Sequence, residues 1–88
     1  MDPAADLVAA RHAAYYRLCI DGEHPVRVFR EYRGLTGAQL AARVGVDQST
    51  ISNLETGKRE GKLRLLLKIA RALAVRLEDL VPADMARA

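Results

Sequence analysis

The chain has 88 residues, half of them hydrophobic and 5% aromatic, with no Trp and a formal net charge of +3. That is enough for one small domain with one core, and the single Cys19 excludes an internal disulfide and a Cys-only metal site. No apolar run approaches the ~18 residues of a membrane span and no signal peptide is visible, so a soluble, cytoplasmic protein is expected.

Asp2-Pro3 predicts a helix start, an Asp cap with proline in the first helical position. Leu7, Ala10, Ala14, Tyr15 and Leu18 follow at helical spacing, and Asp21-Gly22 supplies the stop. Pro25 opens a second helix, with Val28 and Tyr32 four apart, ending near Gly34. Thr36 caps a third, with Gln39 three residues on as in a capping box, and Gly45 ends it. A fourth carries Ile51 and Leu54 and closes at Gly57. A fifth runs from about Leu63, with Leu63, Leu66, Leu67, Ala70 and Leu73 on one side. A last short turn covers residues 77–81 and stops before Pro82. Nothing alternates like a strand. The expected fold is all-α, in three parts: an N-terminal helical extension over 1–24, a domain of about five helices over 25–81, and a frayed tail over 82–88.

Residues 37–56 have a joint explanation. Ala41 lies in the middle of one helix, Gly45 follows four residues later, and Ile51 six beyond that. Two short helices that cross steeply need a small residue where their backbones approach, and the turn between them needs a left-handed position, which glycine takes freely. Leu40, Val44, Val46, Ile51 and Leu54 bury both helices. This is the pattern of a helix-turn-helix, whose second helix enters the DNA major groove. The outer side of that helix is Gln48, Ser49, Ser52 and Asn53, where a solvated face would ordinarily carry Lys and Glu.

"LTGAQLAARVGVDQSTISNLETGKRE" followed by "LLLKIARALAVRLEDLV" resembles the Cro/repressor (Xre-type) helix-turn-helix family over residues 26–81. The resemblance implies that Gln48, Ser49, Ser52 and Asn53 read base edges. Gln and Asn can pair bidentately with adenine, and Ser can donate or accept. Thr50 is assigned to the rim, against phosphate or a thymine methyl. The resemblance also pairs Arg30 with Glu55 as a structural brace for the recognition helix. Three positions depart from the family. Gly37 replaces a Gln that touches phosphate, Ala74 replaces a helix-ending Gly or Asn, and Asp47, which would repel phosphate otherwise, is expected to cap the fourth helix.

Charge supplies an independent argument. Residues 58–71 hold six basic side chains and one acid, Glu60. Lys58, Arg59, Lys62 and Arg64 surround the start of the fifth helix, where positive charge is unfavourable and an anion is welcome. They are assigned to DNA phosphate, against the alternative of weak capping tolerated by a well-packed helix. Arg43 reads as a surface charge, against the alternative of a phosphate contact.

Residues 1–24 are slightly acidic, and Leu7, Val8, Tyr15, Tyr16 and Leu18 exceed what one apolar stripe needs. This helix either packs on the back of the domain or forms a dimer or partner interface; the fifth helix and the last turn are the other candidates to join two copies. The function expected is a sequence-specific double-stranded DNA-binding transcriptional regulator, a homodimeric repressor that occupies a palindromic operator. One alternative is an antitoxin that also holds a toxin through the N-terminal helix; another is a protein-interaction module on the same scaffold. No cofactor, metal or membrane is expected. His12 and His24 form no ligand set and read as surface or capping residues. The sequence offers no nucleophile–base pair, no metal set and no phosphate loop, so no enzyme is expected.

Overall fold

The computed structural model describes residues 2–81. Five α-helices follow in order: α1 Pro3–Cys19, α2 Pro25–Tyr32, α3 Gly37–Val44, α4 Gln48–Glu55 and α5 Leu63–Leu73. A 3-10 turn, Leu77–Leu80, closes the order. Among the described residues there is no strand, and no helix is long and apolar enough to cross a membrane. The expected tail over 82–88 lies outside the described residues.

Local chemistry sets most helix ends. The Asp2 carboxylate accepts from the Ala4 N–H at 3.0 Å. His24 does the same for α2, its Nδ1 accepting from the Val26 N–H at 3.2 Å. Thr36 and Gln39 form a reciprocal capping box, with the Gln39 N–H on Thr36 Oγ1 at 3.1 Å and the Thr36 N–H on Gln39 Oε1 at 2.8 Å. Gly45 ends α3 in the left-handed region at φ 75°. Ala74 ends α5 the same way at φ 55°, the one non-glycine with positive φ among the described residues. An alanine there is disfavoured by roughly 1 kcal/mol. Arg33 covers that end, donating to the Leu73 carbonyl at 2.8 Å and the Ala74 carbonyl at 3.4 Å. A cation over a helix C-terminus also meets the negative end of its dipole.

One core joins the helices. Val26, Val28 and Phe29 of α2, Leu40 and Ala41 of α3, Ile51 and Leu54 of α4, and Ile69 and Leu73 of α5 are buried together. Ala10 and Ala14 bring α1 into the same core, with Leu7 and Leu18 packed at its margin. Four residues expected on apolar stripes lie outside the core. Tyr15 and Tyr32 face solvent, while Ala10, Ala14 and Val28, expected with them, are buried. On α5, Leu63 and Leu67 are exposed and Ile69 is buried, so the buried line runs through Ile69, Ala70 and Leu73.

Ion pairs fasten α1 to the rest. Asp6 takes two bonds from Arg33 at 3.0 and 2.8 Å, and Arg11 reaches Asp79 at 2.8 and 3.0 Å. Arg17 holds Glu23 at 2.6 and 2.7 Å and also bonds Glu31 of α2. The Arg33 guanidinium holds the Asp6 carboxyl below the usual carboxylate range, and Arg17 does the same to Glu23 and Glu31.

Candidate nucleic-acid interface

The side of α4 opposite Ile51 and Leu54 is a row of short polar groups. Gln48, Ser49 and Ser52 are exposed, and Asn53 and Thr50 are half-buried at its edge. Thr56, which sequence reasoning passed over, continues the exposed row. Its hydroxyl donates to the Ser52 carbonyl at 3.0 Å, which leaves its lone pairs outward. Gln48 also borders Gly37: a methyl group at Gly37 would meet the Gln48 amide at 3.8 Å, ordinary contact. The starts of α3 and α4 therefore lie side by side.

Asp47 stands at the N-cap of α4 in extended geometry, but its side chain makes no capping bond. The cap expected of it is absent. The carboxylate is exposed, and the first N–H groups of α4 have no side-chain acceptor.

Arg30 and Glu55 form a bidentate pair, Nε to Oε2 at 2.8 Å and Nη2 to Oε1 at 3.0 Å. The third arm of Arg30 donates to the Leu35 carbonyl at 2.8 Å. The pair is largely enclosed, with side-chain exposures of 12% and 8%. Its guanidinium is held even more firmly protonated than usual by the Glu55 hydrogen bonds. It links α2, the α2–α3 turn and the last residue of α4, which fixes how far α4 stands out from the domain.

The segment between α4 and α5 carries the basic side chains. Gly57 starts it at φ 78°, a backbone position that favours glycine. The Arg59 N–H then donates to the Asn53 carbonyl at 3.2 Å, which holds the segment against the edge of the polar row. Gly61 pins the other end. A methyl group there would lie 2.9 Å from Leu66 Cδ2 and 3.0 Å from Leu54 Cδ1, so two leucines close on bare backbone. Lys62 takes the N-cap of α5 with no side-chain cap bond. Lys58, Arg59, Lys62 and Arg64 are all exposed, and none has a carboxylate partner among the described residues. By contrast Arg11, Arg17, Arg30 and Arg33 are all paired. Arg43 is exposed beside Lys68 and Arg71, along a shallow groove of about 590 Å³.

The structure thus brings a row of uncharged donors and acceptors next to a group of unpaired cations at a helix N-terminus. Short polar groups on a projecting helix can match base edges, and the cations can take phosphates. No group of His, Cys, Asp and Glu that could hold a metal occurs among the described residues.

Residues 26–80 match the helix-turn-helix family model. The chain is similar to an uncharacterized HTH-type transcriptional regulator of Archaeoglobus fulgidus, 49% identical over 55 residues, which is 62% of this chain and 79% of the relative. A regulator of the same description in Methanocaldococcus jannaschii is 34% identical over 58 residues, 66% of this chain and 88% of that one. Another, in Methanothermobacter thermautotrophicus, is 43% identical over 60 residues, 67% of this chain and 87% of the relative.

Proposed function

Because the chain belongs to the Xre-type helix-turn-helix family, we propose that it is a DNA-binding transcriptional regulator that reads a palindromic operator as a homodimer and represses by occupying it. The observation that carries this reading is the exposed polar row of α4 with the unpaired basic segment held against it at Asn53.

Each part of the site has its own task. Gln48, Ser49, Ser52 and Asn53 read base edges in the major groove. Lys58, Arg59, Lys62 and Arg64, with Thr50 at the rim, hold phosphates and set the register. Arg30 and Glu55 act through the backbone, since they fix the projection of α4 and touch no base. In this division residues 25–81 are the DNA-binding unit and residues 1–24 a helical extension. The described residues measure 32 × 31 × 20 Å, and half-sites lie about 34–36 Å apart. One copy therefore covers one half-site, and a palindrome takes two. The names of the relatives agree with a regulator.

The test is selection of bound duplexes from a random pool by the full chain. The expected result is a palindromic consensus with half-sites about one helical turn apart. A folded chain that enriches no consensus overturns the reading.

A further inference from the structure

Helix α1 packs one side and leaves the other bare. Its charged residues, Asp6, Arg11 and Arg17, all lie on the packed side, in ion pairs with Arg33, Asp79, and Glu23 with Glu31. On the outward side no exposed residue of α1 carries a formal charge. Instead it holds alanines, His12, Cys19 and three large side chains: Val8, Tyr15 and Tyr16, each 62% exposed, followed by Ile20 at 61%. A helix face left to water ordinarily carries charge, and a contiguous uncharged apolar face marks an interaction surface.

We propose that this face joins two copies of the chain, as antiparallel α1 helices about a two-fold axis at His12. The proposal deepens the dimeric reading above. A two-fold interface must be complementary to itself, so any charge near the axis would meet its own copy. The outer face of α1 has none. The other exposed apolar pair, Leu63 and Leu67 of α5, lies among Arg64, Lys68 and Arg71, where two copies would repel.

The sequence about His12 also fits by size. Residues on the same flank at nearly the same height become neighbours: Val8 meets the partner's Tyr15, Ala9 the partner's Tyr16, and, near the middle of the face, Ala5 the partner's Cys19. In each pair a smaller side chain faces a larger one, so the two rows interdigitate. Alanines at the contact let the helix axes approach to roughly 8 Å. An aromatic side chain buries about 150–250 Å². Two tyrosines with Val8 and Ile20, each about three-fifths exposed, therefore offer at most on the order of 400–500 Å² per copy, the size of a weak, transient interface. A dimer of that size forms and dissociates with concentration.

Sedimentation of the full chain without DNA tests the proposal. The expected result is a monomer–dimer equilibrium in the micromolar range. Tyr16→Glu should raise its dissociation constant at least tenfold and leave the melting temperature of the monomer unchanged, because Tyr16 is exposed. Register is read by Ala5→Cys with the native Cys19 under mild oxidation. A covalent dimer linking position 5 to the partner's Cys19 should form, mapped by peptide mass. The unaltered chain should not cross-link through Cys19, since the 14 residues from position 5 to position 19 are about 21 Å of helix. A monomer at every concentration, a dimer indifferent to Tyr16→Glu, or ready Cys19-to-Cys19 cross-linking each overturns it. Since DNA is absent, a dimer of this kind that selects no duplex removes the regulator reading alone. A chain that is monomeric without DNA and still selects a palindromic consensus removes this one alone.

Discussion

Gln48 and Asn53 carry the two amides of the α4 row, and they sit differently. Gln48 is exposed beside Gly37, whereas Asn53 is half-buried, with its backbone carbonyl engaged by the Arg59 N–H. Alanine at either position should cost about 1–3 kcal/mol of operator binding and relax preference at one base pair. Titration against operators altered one base pair at a time reads this out. A mutant that ranks the altered operators as the parent does removes that side chain from the reading face. Glu55 belongs to a different class, because it braces α4 from inside. Glu55→Ala strands the enclosed Arg30 guanidinium and should destabilise the fold by on the order of 3 kcal/mol. Replacing both partners, Arg30→Met with Glu55→Leu, should cost less than the single change, since no charge is left without a partner. Urea unfolding of the three proteins decides it. A double mutant weaker than Glu55→Ala would mean that the Arg30 bond to the Leu35 carbonyl matters more than the pair.

The helices were legible where their ends carry their own chemistry. Asp2, Thr36 with Gln39, Gly45 and Gly57 act within a few residues of themselves, and each end stands where its residues point. The α5 face was legible in part: Leu66, Ala70 and Leu73 pack inward as expected, while Leu63 and Leu67 do not. A run of leucines from Leu65 to Leu67 offers several apolar faces, and packing on α3 chose the one through Ile69. Asp47 was misread because the N-cap backbone does not oblige its carboxylate to turn inward. The ties between Arg33 and Asp6 and between Arg11 and Asp79 span 27 and 68 residues, and no local pattern announces them. The polar row was legible as residues, but its nearness to the basic segment depends on the Arg59 N–H and on Gly61. Ala74 was marked as a departure, and it proves to be an alanine in a glycine conformation under the cover of Arg33. Ala74→Gly should therefore raise stability by about 0.5–1 kcal/mol, since the relieved backbone outweighs the extra freedom of the unfolded chain. A thermal melt checks this, and a lower melting temperature would show that the alanine methyl makes a contact worth more than the strain.

Charge divides the molecule in two. Around α1 and α2 nearly every cation has a carboxylate, whereas from α3 onward Arg43, Lys58, Arg59, Lys62, Arg64, Lys68 and Arg71 have none among the described residues. The paired half should respond to acid. Asp6, Glu23 and Glu31 keep their charge to lower pH in the folded chain than in the unfolded one. Their contribution is complete above the ordinary carboxylate range, about pH 4. As pH falls below it the unfolded chain takes up protons first, and stability is lost through the depressed native values. Urea midpoints from pH 7 to the acid end should fall for the parent and fall less for Asp6→Asn, so that the two curves converge. Parallel curves would mean that the Arg33 pair adds nothing to stability.

The unpaired half should respond to salt. Phosphate contacts release counterions, so log affinity falls with log salt by roughly 0.9 for each contact. Lys58 and Lys62 flank a helix start with no side-chain cap and no carboxylate of their own. Neutralising both to Gln should therefore flatten the slope by about 1.8. It should weaken operator and random duplex nearly equally, because phosphates carry no sequence. Without DNA the double mutant should be as stable as the parent or slightly more so, since like charge is removed from a positive helix end. Salt titrations of both complexes beside a melt of the free chain give all three readings. Loss confined to the operator, with the slope unchanged, would move these lysines to the bases. A lower melting temperature would assign them to the fold.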